Sequence, residues 1–194
     1  MGKELSEMSL EELWELFPII LKEYNQEYPM WYEEEKVKLF TRFNDRSIVR
    51  INHIGSTSVP GIISKPIIDI LMEIRPECNV NDMTKQLSSM EWTLMNASED
   101  PFFSHSYCKG YTKFGFADRV YHLHMRYVQD WGELYFRDYL IENPRISKEY
   151  VALKIQLKNR YEHDRDAYTE GKGSFINQYT EVAKVLYDGR YRIT

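Results

Sequence analysis

A carboxylate inside an apolar run constrains this chain more than any other feature. Residues 66–74 read Pro-Ile-Ile-Asp-Ile-Leu-Met-Glu-Ile, with Asp69 near the middle. Length and composition make this run a buried strand. A carboxylate taken out of water there is costly unless it is paired, hydrogen-bonded or bound to a cation. The preceding residues give it company. Ile48 to Ile54 is rich in β-branched residues and reads as a strand. Between the two runs, residues 55–66 hold two glycines, two prolines and the hydroxyls of Ser56, Thr57, Ser58 and Ser64, which makes them a turn-rich loop.

Such a loop has what a phosphate needs. Gly55 allows close backbone approach, Ser56 and Thr57 add hydroxyl donors, and Lys65 adds a positive charge just before the acidic strand. The spacing is not that of a P-loop, because five residues separate Gly55 from Gly61 and Lys65 follows four residues later. A strand ending in Gly-Ser, followed about a dozen residues later by a strand carboxylate, resembles the nucleotidyltransferase fold of the DNA polymerase β type. The longer run His53 to Gly61, with Lys65 to Ile70, resembles the GrpB family of nucleotidyltransferase-like bacterial proteins. The resemblance continues through a His-x-His strand segment at His122 and His124, through Phe136 to Leu140, and through Asp164 to Tyr168 with Lys172 and Phe175. It therefore covers roughly residues 18–186.

The order of elements agrees with an α+β chain. Ser9 and Glu12 form a capping box ahead of Leu10, Leu13, Trp14 and Phe17, and Pro18 ends that helix. Residues 18–25 are expected to form a first strand. Residues 28–43 read as a helix with Trp31, Val37, Phe40 and Phe43 in phase. After residue 74 come a helix over 80–90, a short strand over 92–95 and extended pieces over 102–107 and 111–116. Residues 119–128 form a strand in which Val120, His122, His124 and Arg126 share one parity and Tyr121, Leu123, Met125 and Tyr127 the other. Three helical stripes follow, the last beyond Gly171 and Gly173. The expected fold is a nucleotidyltransferase-like mixed β-sheet with flanking helices and a C-terminal helical layer. It is divided into an N-terminal helical extension, 1–17, and a single domain, 18–194.

The 194 residues carry a net charge of −5, which argues against broad nucleic-acid binding. Two cysteines, Cys78 and Cys108, provide neither a disulfide framework nor a metal cluster. No run approaches the ~20 apolar residues of a membrane span and no segment reads as a signal peptide, so the expectation is a cytoplasmic protein with no membrane partner.

Nucleotidyl transfer places a triphosphate on divalent cations held by carboxylates, usually two on one strand, two residues apart. Here Asp69 is followed at that spacing by Leu71. Glu73, the next acid on that face, is ~13 Å further along a regular strand. This departure puts two-metal chemistry in doubt. His122 and His124 share a face and, beside Asp69, would complete a His-His-carboxylate set for one divalent ion, Mg²⁺ or Mn²⁺. Alternatively, one histidine acts as acid or base and the other hydrogen-bonds to Asp69.

The expected catalytic and metal residues are therefore Asp69, His122 and His124. Expected phosphate contacts are Gly55, Ser56, Thr57, Lys65, Arg126 and Lys172. Each has a structural alternative. Asp69 can brace the loop, Ser56 and Thr57 can cap its turn, Lys65 and Lys172 can be solvated, and Arg126 can pair with Asp69 or Glu73. Glu73 itself reads as a surface carboxylate at a strand end, and His53 as a hydrogen-bonded residue at the edge of the site at best. The expected ligand is a nucleoside triphosphate or another phosphate compound. The expected activity is nucleotidyl transfer to a small-molecule or protein hydroxyl. A binding module without chemistry and a metal-dependent phosphoester hydrolase are the rival readings.

Overall fold

The computed structural model describes residues 3–192. Ser9 caps the first helix, α1 (Leu10–Leu16), with the reciprocal Ser9–Glu12 hydrogen bonds of a capping box. Residues 18–25 do not form the expected strand. Lys22 makes one bridge to Ser64, and Ile19 packs with Leu157 and Tyr168 instead of entering the sheet. Helix α2 (Tyr28–Ser47) leaves helical geometry at Asn44, a residue type that tolerates positive φ, and runs into β1 (Ile48–Ile54). Tyr28, Tyr32, Leu39 and Phe43 form its buried stripe, whereas Val37 is exposed.

The chain continues through β2 (Ile67–Ile74), α3 (Val80–Ser89), β3 (Thr93–Ser98), β4 (Ser104–Thr112) and β5 (Gly115–Tyr127). Of the two extended pieces expected, 102–107 falls largely in β4, and 111–116 spans the end of β4, the turn at Lys113 and Phe114, and the start of β5. The C-terminal layer holds α4 (Gly132–Glu142), α5 (Pro144–Tyr161), α6 (Arg165–Glu170) and α7 (Gly173–Leu186), one short helix more than the three apolar stripes predict. In α7, Val182 and Leu186 are exposed although they continue the apolar stripe.

The five strands form one mixed sheet in the order β1-β2-β5-β4-β3, parallel only between β2 and β5. Period-2 alternation gives the sheet two unlike faces. Ile68, Ile70, Met72 and Ile74 of β2, with Tyr121, Leu123 and Met125 of β5, pack into the main core against α2 and α3. Asp69, Leu71 and Glu73, with His122, His124 and Arg126, occupy the other face. The C-terminal helices cover part of it, with Leu71 packed against Trp131 and Leu134. Central β2 is thus covered on both sides, which is why it reads as a nearly continuous apolar run. The N-terminal segment lies on the β4–β5 hairpin, where Phe17 meets Tyr111 and Phe116. The outer ends of the two expected segments, 1–2 and 193–194, lie outside the described residues.

Glu73 is not a surface carboxylate. It is fully buried and paired with Arg50 of β1, whose guanidinium also donates to the carbonyls of Gln129 (2.8 Å) and Tyr191 (3.1 Å). The neighbouring edge strand supplies the charge that makes a second acid on β2 tolerable. Removing one member of a buried pair leaves the other unpaired, at a cost of about 3–5 kcal/mol. Arg50→Met is expected to lower unfolding stability by about that amount in chemical denaturation. A loss below about 1 kcal/mol would show that the pair has little part in holding β1 to β2.

Candidate functional site

Asp69 and His122 are register partners on the parallel β2–β5 pair. Their side chains therefore emerge side by side on the helix-covered face. Asp69 Oδ1 lies 3.2 Å from His122 Nδ1 and 3.9 Å from His124 Nε2. The three residues singled out from the sequence thus meet. His124 is steadied from β4, where Ser106 Oγ lies 3.5 Å from its Nδ1.

The hydrogen-bond network fixes the state of His122. An ionised Asp69 only accepts, so His122 Nδ1 carries the proton and donates to it. His122 Nε2 then accepts from the Tyr111 hydroxyl at 2.8 Å, and Arg165 Nη2 lies 3.3 Å from the same nitrogen. Burial, aided by the nearby cations Arg165 and Lys65, lowers the His122 pKa and keeps the ring neutral. Burial also opposes ionisation of Asp69, but the hydrogen bond from His122 and the nearby His124 ring outweigh it. They hold the carboxyl well below the usual range.

Gly55 closes over this pair. Its φ is +69°, and a Cβ there would lie 2.3 Å from Asp69 Oδ2. Only glycine satisfies both the left-handed backbone and the contact. Thr57 turns away from the cavity. Its hydroxyl donates to Ile67 O at 2.9 Å and accepts from His53 Nε2 at 3.0 Å. His53 stacks on Tyr32, and burial lowers its pKa to about 4, so it braces the loop as a neutral donor. Thr57 is therefore structural, whereas Gly55 and Ser56 line the cavity.

That cavity, about 610 Å³, lies between the sheet face, the 55–65 loop and α4–α7. Asp69, His122, His124, Lys65 and Lys172 all open onto it. Three further cations that sequence reasoning missed line it too, Arg137 of α4, Lys154 of α5 and Arg165 of α6. The signal for Lys154 was present, since it stands one turn from Tyr150 and Leu157 within an otherwise apolar stripe. Arg165 follows the N-cap Asp164 and carries no comparable mark. Arg126 does not join the group. It pairs with Glu133 at 2.6 Å and lies over the Trp131 ring, 4.4 Å from the centroid, because α4 brings both residues over the end of β5.

Arg137 is paired with Asp138, whereas the other four cavity cations have neutral partners. Lys154 Nζ donates to Ser56 Oγ (3.1 Å) and to Ile63 O. Lys65 and Lys172 both lie over the Tyr168 ring, 5.5 and 4.5 Å from its centroid. Arg165 meets His122 and lies over Tyr111. Asp69 spends its contacts on the histidines. Among the described residues none of the four cations forms an ion pair. Burial lowers Lys65 and Lys154 to about 7 and Lys172 to about 8, with repulsion among the neighbouring cations adding to it. The lining also has an apolar and aromatic part, built from Phe136, Leu140, Tyr150 and Ile176, with Lys154 over the Tyr150 ring.

The donors do not make a ready metal centre. His122 commits one nitrogen to Asp69 and the other to Tyr111. Leu71, at the position of a second carboxylate, is buried core. Among the described residues no group of three His, Cys, Asp or Glu side chains is arranged to hold an ion.

A family profile described as "GrpB protein" matches residues 18–182. The chain is 36% identical over 172 residues to "UPF0157 protein YqkA" of Bacillus subtilis, an alignment covering 86% of this chain and 48% of that protein. The chain thus spans about half the length of YqkA. It is 29% identical over 167 residues to "Glutamate-rich protein GrpB" of Alkalihalophilus pseudofirmus, covering 82% of this chain and 92% of the relative. The crystal structure of conserved protein GrpB from Enterococcus faecalis superposes with a TM-score of 0.75 at 27% identity, covering 87% of this chain and 99% of that one.

Gly55→Ala tests the closure over Asp69. Strain at positive φ and the clash with Oδ2 are expected to cost about 2–4 kcal/mol of unfolding stability. A neutral result by denaturation would mean that the loop can move off Asp69.

Proposed function

Because this chain belongs to the GrpB family, and because its cavity joins an apolar wall to four cations without ion-pair partners, we propose that it binds a nucleotide or a related organic phosphate. The observation that carries this reading is the grouping of Lys65, Lys154, Lys172 and Arg165 around neutral partners. Desolvated cations favour an anion strongly. A close charge pair at an effective dielectric of about 20 gains roughly 4 kcal/mol at 4 Å, before desolvation of the ligand. The cavity volume is in the usual range for a small-molecule site. Phe136, Leu140, Tyr150 and Ile176 give a place for the organic part.

Binding without chemistry is the reading best supported. Leu71 stands where nucleotidyltransferases have a second carboxylate, and its apolar surroundings, Trp131 and Leu134, suit a core residue and not a charge. Nucleotidyl transfer to a small-molecule or protein hydroxyl is the second reading, supported by the resemblance of the Gly55-Ser56 loop and Asp69 to such enzymes. Pyrophosphate release with an acceptor panel would establish it, and release of inorganic phosphate would point to a hydrolase instead.

Calorimetric titration of ATP into the protein tests the binding reading. The lysines are partly deprotonated in the free cavity at pH 8, and a bound anion raises their pKa values. The complex then holds more protons than its parts. Net proton uptake is expected at pH 8, fading towards pH 6, where the amines are already charged. Affinity is expected to fall as pH rises from 7 to 9. Runs in two buffers of different ionisation enthalpy measure the uptake, and binding without it at pH 8 would place the anion away from these amines.

A further inference from the structure

The cavity sets a class of ligand more narrowly than phosphate in general. Lys65, Lys154, Lys172 and Arg165 bring four positive charges when protonated, against the single negative charge of Asp69. Arg137, also at the cavity, is already committed, since it donates to Asp138, His53 O and the Tyr191 hydroxyl. Glu133 pairs with Arg126. The surplus is thus about three positive charges. A divalent ion entering with a triphosphate would have to sit among these cations, where repulsion opposes it. It would find Asp69 with Oδ1 held by His122, and His122 with both ring nitrogens engaged. Mg²⁺ in nucleotide sites is held by one or two carboxylates together with the substrate phosphates, and here both cavity carboxylates already have partners.

We infer that the three lysines and Arg165 take the place of a divalent cation, so that this pocket selects the metal-free form of a di- or triphosphate. This rests on the phosphate-binding reading above and narrows it. Asp69 acts here as a positioning residue. It orients His122, with the Nδ1 proton towards the carboxylate beneath Gly55, and is not a ligand to an ion.

The same calorimeter separates the possibilities, with ATP and inorganic tripolyphosphate as probes, each in EDTA and in excess Mg²⁺. Binding in EDTA is expected to be about tenfold or more tighter than in Mg²⁺, because Mg²⁺ removes two of the ligand's negative charges. Lys172→Met is expected to weaken binding in EDTA by about tenfold or more. Asp69→Asn, which keeps the shape and removes a negative charge, is expected to retain binding. Binding that requires Mg²⁺ and disappears in Asp69→Asn would overturn the inference while leaving the phosphate reading intact. If that variant does not fold, the comparison of EDTA with Mg²⁺ in the unaltered protein still decides. No binding of either probe in either condition would overturn both.

Discussion

Asp69 is an ionised carboxylate on a strand covered from both sides, and the site is shaped by what keeps it charged there. Parallel pairing of β2 with β5 sets His122 beside it, and the Nδ1 proton of that ring is the main donor. Tyr111 and Arg165 then occupy the other nitrogen and hold the tautomer. Gly55 is needed because the loop crosses directly over Oδ2. A charge on a central strand thus determines a neighbouring residue, its protonation and a turn more than a dozen residues away in sequence.

The two faces of the sheet divide the work. One is packed with apolar side chains against α2 and α3 and supplies most of the core. The other carries the polar alternation of β5 and is only partly covered by the C-terminal helices, which leaves the cavity. The second acid on that face, Glu73, is neutralised by Arg50 and lies outside the cavity lining. Glu133, the other carboxylate at the cavity, is paired with Arg126, so Asp69 alone stands against an excess of cations. The local charge of the cavity is positive, as the proposed anion binding requires, although the protein as a whole is acidic.

Much of this was legible in the sequence. The strand–loop–strand around Gly55 and Asp69, the alternation of β5 and the helical stripes of the C-terminal layer follow from local periodicity. Other features depend on contacts between distant segments. Residues 18–25 have the apolar content of a strand, but Ile19 finds its partners on α5 and α6. Arg126 shares a face with the histidines, yet Glu133 on α4 captures it. Thr57 reads as a ligand hydroxyl until the carbonyl of Ile67 and the ring of His53 are seen beside it. Lys154 and Arg165 come from helices far along the chain, and only their packing brings them to the loop.

Lys65, Lys154, Lys172 and Arg165 are the proposed anion-binding groups. A crystal structure of the protein with ATP bound, grown without divalent metal, tests this most directly. The account expects the phosphates within hydrogen-bond distance, roughly 3 Å, of Lys65, Lys172 and Arg165. It also expects the base against Phe136 and Tyr150. Phosphates bound elsewhere on the surface, with the cavity empty of ligand at saturating ATP, would contradict it.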